Sequence, residues 1–583
     1  MKTKPSPRHK SAVVSSVPKA AAPGGAWRPW LGFAIALVVV FLVYEPALNG
    51  PFVFDDQYLP VNMGVAGRPL TQWLIGVRPA LMFTLWLNYR ISGFDTFSYH
   101  AFNVFFHTIN AFLLFWAVRR ILGFASVGAK DLFALFAGAL FLLHPVQTES
   151  VAYVSSRSEN LSLLFFLAAF VLFLYRPGLT DEEQPPVSWP AAAGILALFG
   201  AAVATKEHTI TLPALLLLTD LFWNRRGGIL AGVRRNWRLY IPIAVGAAGG
   251  LAFVLRILSR ADSAGFALKT VKWYEYFFTQ WRAVFLYLRL YVLPVDLSLE
   301  YDFPLSRTPL DHGAAFGLAA LLAMSAAALY YRKRFPVAAY GWFAFLLLLA
   351  PTSSIVPISD PVAERRLYLP IIGLLLISIE FLRRLNAGRA AMGLGLSGVL
   401  LAAGAGTYSR NFVWADRTAL WEDTVAKTPT KARAQFQLGF AYFEAGRCQD
   451  AVRHFEIAAG LQPPDARLLV DWALAYDCLD QPDLALAKLN EAAKLERAVW
   501  VYANLGMIHA KQNQRDEAFA ALKTAVEIDP NFDMTYVYLG HLHFMANDFR
   551  QAAAEYRRAV SLNPDNRMAL DSLAKAEQNL KGH

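Results

Sequence analysis

The 583 residues are 56% hydrophobic, 14% aromatic and only 17% charged, which excludes an ordinary soluble globular protein. The formal charge of +11 lies largely in short Lys/Arg clusters between apolar runs. Such clusters hold loops on the cytoplasmic side of a membrane and give no reason to expect a nucleic-acid partner.

Residues 1–26 form a basic, Pro/Ser/Ala-rich tail with Lys2, Lys4, Arg8, Lys10 and Lys19, expected in the cytoplasm. An apolar run over 27–48 is long enough to cross a hydrocarbon core and reads as a retained anchor. Further membrane-length runs lie near 99–121, 131–148, 160–175, 189–204, 208–223, 239–258, 276–293, 312–330, 337–353, 367–384 and 391–408. Arg225, Arg226, Arg234, Arg235 and Arg238 place 224–238 in the cytoplasm, as do Arg332-Lys333-Arg334 and Arg383-Arg384 with Arg389. An even number of crossings must separate the first two clusters, yet three runs lie between them. The run at 276–293 contains Arg282 and Arg289 and reads as interfacial or re-entrant, with 239–258 as the alternative. About eleven spans then carry the chain to the opposite side by residue 410.

This topology gathers the informative polar residues on the outer face. They are Asp55-Asp56, Arg68, Arg78 and Arg90; His144 to Glu149; Arg157-Ser158-Glu159-Asn160; Lys206-Glu207-His208; and Glu364-Arg365-Arg366. Ionisable groups near membrane depth are costly and usually line a polar cavity. His100, Asn103, His107 and Asn110 share one helical face, either as a hydrogen-bonded packing seam or, with His144, as cavity lining.

From about Asp416 the chain changes character. Gly439, Ala473, Gly506 and Gly540 recur at about 34 residues, as do Ala451, Ala485, Ala518 and Ala552. This is the tetratricopeptide (TPR) period, with small residues where paired helices touch. Repeats are expected near 431–464, 465–497, 498–531 and 532–565, after a helix at 416–427 and before a capping helix at 566–580. The two cysteines, Cys448 and Cys478, allow one bridge between neighbouring repeats, with two unpaired thiols the favoured reading. The expected fold is therefore all-α: a multispan membrane domain over 27–410, then a solenoid over 416–583.

Several motifs in order resemble the transmembrane-and-TPR protein O-mannosyltransferases, and a bacterial member in particular. They are Phe52-Val53-Phe54-Asp55-Asp56, Arg78-Pro79-Ala80-Leu81, Tyr99-His100-Ala101-Phe102-Asn103, His144-Pro145-Val146-Gln147-Thr148-Glu149, Arg157-Ser158-Glu159, Lys206-Glu207-His208 and Glu364-Arg365-Arg366-Leu367-Tyr368. The resemblance implies a C-type glycosyltransferase bundle, a polyprenyl-phosphate sugar donor and a Ser/Thr acceptor on an extracytoplasmic protein. In a bacterium the site and repeats would face the periplasm from the inner membrane; in a eukaryote, the lumen of the endoplasmic reticulum.

The residues fit that chemistry. A carboxylate, Asp55 or its partner Asp56, can take the acceptor proton, and fixed cations can stabilise the departing phosphate. Arg78, Lys206, Arg157, Arg365 and Arg366 are the candidates for the phosphate, with Glu149, Glu159 and Glu207 positioning the sugar or those cations. The pair is also the minimal site for a divalent cation, Mg or Mn. Other readings stay open: a transferase of the same fold acting on lipid or polysaccharide, or a non-enzymatic scaffold whose repeats recruit partners. No nucleotide-binding fingerprint occurs, consistent with a lipid donor.

Overall fold

Long apolar runs without interior breakers can satisfy their backbone only as helices once water is removed. Every regular element among the described residues is helical. The structure, a computed structural model, describes residues 28–61, 66–76, 78–176, 185–223, 228–258, 265–266, 268 and 271–582. The basic tail, and Arg225 and Arg226 of the cytoplasmic loop, lie outside them.

Five described helices are long and apolar enough to cross a membrane: Trp30–Ala47, Phe97–Phe124, Val154–Leu174, Asp311–Tyr330 and Arg389–Trp414. A sixth forms if Lys130–Leu143 and Pro145–Ala152, bent by 52°, are taken together, and shorter apolar helices occupy Trp189–Val203, Pro336–Leu349 and Ile371–Leu382. The chain is a membrane protein. Leu42, Phe316 and Leu401 point outward, as lipid-facing side chains do. Small residues let helices approach closely: a Cβ on Gly341 would stand 2.5 Å from the Gly373 carbonyl oxygen. The helix Trp273–Val292 has both flanks tied to one loop, through Gly265 N–H to the Pro357 carbonyl and Ser298 N–H to Glu364.

The polar stripe is a packing seam. His100 Nε2 meets the Gly50 carbonyl at 3.0 Å, and Asn103 donates to the Val151 and Tyr153 carbonyls. His107 bridges Tyr368 Oη at 2.8 Å and the Leu142 carbonyl at 3.2 Å. Asn110 donates to the Asn160 carbonyl. His144 stacks on Tyr291 with ring centroids 5.4 Å apart, contacts its carbonyl, and accepts the Val146 N–H as a cap. The expectation that His100, Asn103, His107 and His144 line a cavity is thus corrected. All four are buried, and they serve backbone groups that no water reaches where the chain breaks between helices.

The solenoid pairs Ala432–Glu444 with Cys448–Leu461, Ala466–Cys478 with Pro482–Leu495, Val499–Lys511 with Arg515–Ile528, and Asp533–Met545 with Phe549–Leu562. Arg417–Lys427 precedes them, N-capped by Asp416, and Arg567–Gly582 closes them. At the turn inside each pair stands a residue that accepts left-handed backbone, namely Gly446, Asp480, Asn513 and Asn547. Cys448 and Cys478 form a disulfide, Cα–Cα 6.2 Å, which corrects the reading of two free thiols. The repeat stacking brings the start of one helix beside the end of another, within bridging distance.

The first repeats rest on the bundle. Val53, Tyr153 and Leu299 share an apolar cluster with Trp414, Leu420 and Trp421. Arg417 donates to the Phe52 carbonyl at 2.6 Å, Lys427 to the Leu297 carbonyl at 2.7 Å, and Arg467 to Gln57 at 2.9 Å.

Candidate functional site

The acid pair sits in a short 3-10 turn, Phe54–Tyr58, held at both ends. Phe52 packs edge-on against Tyr99, with centroids 5.2 Å apart, and Val53 is buried. Asp56 then closes the turn by accepting the Val53 N–H on Oδ2 at 3.1 Å, a local carboxylate cap. Its Oδ1 accepts the Ser155 N–H at 2.7 Å and the Ser155 hydroxyl at 2.5 Å. Burial pushes the Asp56 carboxyl up to about 7, against the lowering effect of these donors, with the neighbouring Asp55 charge adding to the rise. Asp55 is the opposite case. Its side chain is exposed, while its N–H donates to Tyr153 Oη at 2.8 Å.

Three ion pairs lie on the same face. Arg365 pairs with Glu149, whose Oε2 also accepts the Arg365 N–H at 2.8 Å. Lys206 reaches Glu159 at 2.6 Å and Ser158 Oγ at 3.2 Å, and His208 lies 3.5 Å from the same carboxylate. Arg78 grips Glu207 with two nitrogens, the closest contact at 3.0 Å. Burial lowers the Lys206 ammonium below the ordinary lysine range, Glu159 opposes this, and the charges of Arg78 and Arg365 add to it. The Tyr153 phenol, which accepts the Asp55 N–H, feels the charges of Asp56, Asp55 and Arg365.

Two predicted cations are committed elsewhere. Arg157 is fully buried and donates to Asn103 Oδ1 at 2.8 Å, Asn88 Oδ1 at 2.5 Å and the Tyr99 carbonyl at 2.7 Å. Arg366 donates to Tyr276 Oη at 3.0 Å and to the Pro361 and Asp360 carbonyls at 2.9 and 2.5 Å. Both expectations of phosphate contact are corrected: each guanidinium braces loops rather than opening to solvent. Glu364 is likewise internal, taking the Ser298 N–H and the Tyr301 hydroxyl at 2.6 Å each. Tyr153 and Ser155 escape the sequence reading, with only their closeness to Arg157-Ser158-Glu159 to hint at them, while Ser158 and His208 stand in its outer-face motifs without a role.

A cation bound at the acid pair would find Asp55 as its exposed carboxylate, since both Asp56 oxygens already accept hydrogen bonds. No group of three His, Cys, Asp or Glu converges among the described residues.

With this geometry in place, known proteins give a consistent picture. The chain is 24% identical over 462 residues to the protein O-mannosyl-transferase F38B6.6 of Caenorhabditis elegans, covering 74% of this chain and 62% of the relative. It is 25% identical over 557 residues to human protein O-mannosyl-transferase TMTC1, covering 84% and 62%. Its curated homologues are protein O-mannosyl-transferases. The chain spans less than two thirds of the length of these relatives. The tetratricopeptide repeat model matches residues 499–532 and 534–566, the third and fourth helix pairs described above. Among solved structures, the TPR protein YrrB covers 31% of this chain and 91% of its own at 21% identity, with a TM-score of 0.23.

Proposed function

We propose that this protein is a membrane glycosyltransferase that moves mannose from a polyprenyl phosphate to Ser or Thr hydroxyls of extracytoplasmic proteins. The observation that carries the reading is the split acid pair: Asp56 is buried and hydrogen-bonded, Asp55 is exposed, and the Asp55 N–H meets the hydroxyl of Tyr153, which also feels the Arg365 charge. Asp55 is the base. It takes the acceptor hydroxyl proton as that oxygen bonds to the anomeric carbon, and the bond from that carbon to the lipid phosphate oxygen breaks. Arg365 and Lys206, with Arg78 behind them, stabilise the charge that develops on the phosphate.

The rest of the chain supports the same assignment. An apolar groove of about 450 Å³ between Leu212–Trp223 and Pro336–Leu349 is lined by Leu217, Leu221, Phe343 and Leu347. Its lining begins at Ala214 on the helix that follows the Lys206-Glu207-His208 segment in the chain, and it suits a polyprenyl chain. The disulfide favours an oxidising compartment for the repeats, the periplasm in a bacterial chain. The repeats offer the acceptor a docking surface beside the acid pair, and a cavity of about 240 Å³ lies among Met507, Tyr538, His541 and Phe544.

The test supplies purified protein with polyprenyl-phosphate mannose and Ser/Thr-containing peptides and reads the products by mass spectrometry. Mannosylated peptide is expected, with Asp55→Asn lowering turnover at least about 100-fold. Sugar transferred to lipid alone would favour the lipid-acceptor reading, and undiminished transfer by Asp55→Asn would remove the proposed base.

A further inference from the structure

We propose that the first repeat hairpin is part of the transfer site itself, with Arg433 as a positioning residue that fixes Phe54 and hence the bearing of Asp55. This rests on the assignment of Asp55 as base.

The starting observation is the backbone. Phe54 has φ of +50°, a left-handed conformation that a bulky residue adopts only when its surroundings over-determine it. Its ring is held from three directions. Trp421 lies edge-on with centroids 5.8 Å apart, Tyr153 at 6.5 Å, and the Arg433 guanidinium carbon at 5.2 Å from the ring centre. Two of these three groups, Trp421 and Arg433, come from the C-terminal domain.

Arg433 does not reach Phe54 as a loose surface cation. Its Nε meets Glu300 at 2.5 Å and its Nη2 meets Asp360 at 2.7 Å. Glu300 is buried, and Asp360 belongs to the segment that Arg366 braces. Glu364, four residues on, ties this segment to Ser298 and Tyr301. One guanidinium therefore joins the acid-pair turn, the 298–301 loop and the segment leading to Arg365. Those are the pieces whose spacing sets the distance from base to phosphate. A planar fork can hold two carboxylates and a ring face at once, which an ammonium cannot.

The full chain in lipid nanodiscs tests this through four variants: Arg433→Met, Arg433→Lys, Phe54→Leu and, as a control on an exposed face of the same hairpin, Arg453→Met. Hydrogen exchange over residues 52–58 is expected to quicken about tenfold in Arg433→Met and Phe54→Leu and to stay unchanged in the control. With polyprenyl-phosphate mannose and peptide, kcat should fall about tenfold or more while the peptide KM moves less than about twofold. A fifth protein, the Arg433→Met/Phe54→Leu double variant, should be no worse than the poorer single one, because both act through the same ring, and Arg433→Lys should recover part of the loss. Additive losses, a rise in KM alone, or unchanged exchange would overturn the proposal and leave Arg433 a docking contact. Should Asp55→Asn keep full transfer, the base assignment fails instead, and the exchange data still judge the link from Arg433 to Phe54.

Discussion

At the scale of residues, the two adjacent acids have divided their labour. Asp55→Asn should leave thermal unfolding within about 0.5 kcal/mol of the parent, because the side chain is exposed. Asp56→Asn turns an amide donor towards the Val53 or Ser155 donors and should cost about 1–3 kcal/mol in the same measurement. Asp56 also predicts a pH dependence. Its folded-state value near 7 lies above the roughly 3.9 of an unfolded aspartate. Between about pH 4 and 7 the folded chain thus holds more protons than the unfolded one. Stability should therefore fall as pH rises through that window, by at most about 1.4 kcal/mol per unit. Unfolding midpoints across this range should show a slope in the parent that Asp56→Asn reduces, with Glu364 and Asp471, also raised by burial, supplying the remainder; equal slopes in the two proteins would remove Asp56 as a contributor. The pair itself was legible in the sequence, as were Glu149, Glu159, Lys206, Glu207, Arg78 and Arg365. The commitments of Arg157 and Arg366 were not, because their partners are largely backbone carbonyls and two amide oxygens, and no sequence pattern marks a carbonyl as near.

At the scale of elements, the repeats were the clearest signal, because their constraints recur. Gly439, Gly506 and Gly540 stand where a Cβ would fall 2.8, 2.5 and 2.5 Å from Phe455, Leu522 and Tyr556. Gly540→Ala should accordingly destabilise the repeats by about 1–3 kcal/mol in chemical denaturation followed by tryptophan fluorescence. The bridge was harder to foresee, since two cysteines 30 positions apart are compatible with either state until the helix pairs are stacked. Closing a loop of that length should stabilise the repeats by about 3–4 kcal/mol. Cys448→Ser, or a reductant, should lower the denaturation midpoint accordingly. The stripe from His100 to Asn110 was legible as a shared face, but its neighbours decided its role: the breaks at His144-Pro145 and Tyr153 bring bare carbonyls against it.

At the scale of the whole molecule, the proposed extracytoplasmic placement of the site and repeats has a direct test. A membrane-impermeant thiol reagent should label Arg307→Cys and Arg453→Cys on sealed cells, and Lys333→Cys only after permeabilisation; the native thiols are paired and silent. Labelling of Lys333→Cys from outside would invert the arrangement. The contact between repeats and bundle was beyond the sequence, although Arg433 and Arg467, one repeat apart, already shared a position on the solenoid. That contact has a consequence for how the protein is made. Arg417 grips the Phe52 carbonyl from 365 positions later in the chain. The ribosome has therefore delivered the entire membrane portion before the grip can close. During that interval the membrane portion sits inserted with the Phe52 carbonyl ungripped, and the contact forms only when a later-made helix folds back onto the segment that follows the first span.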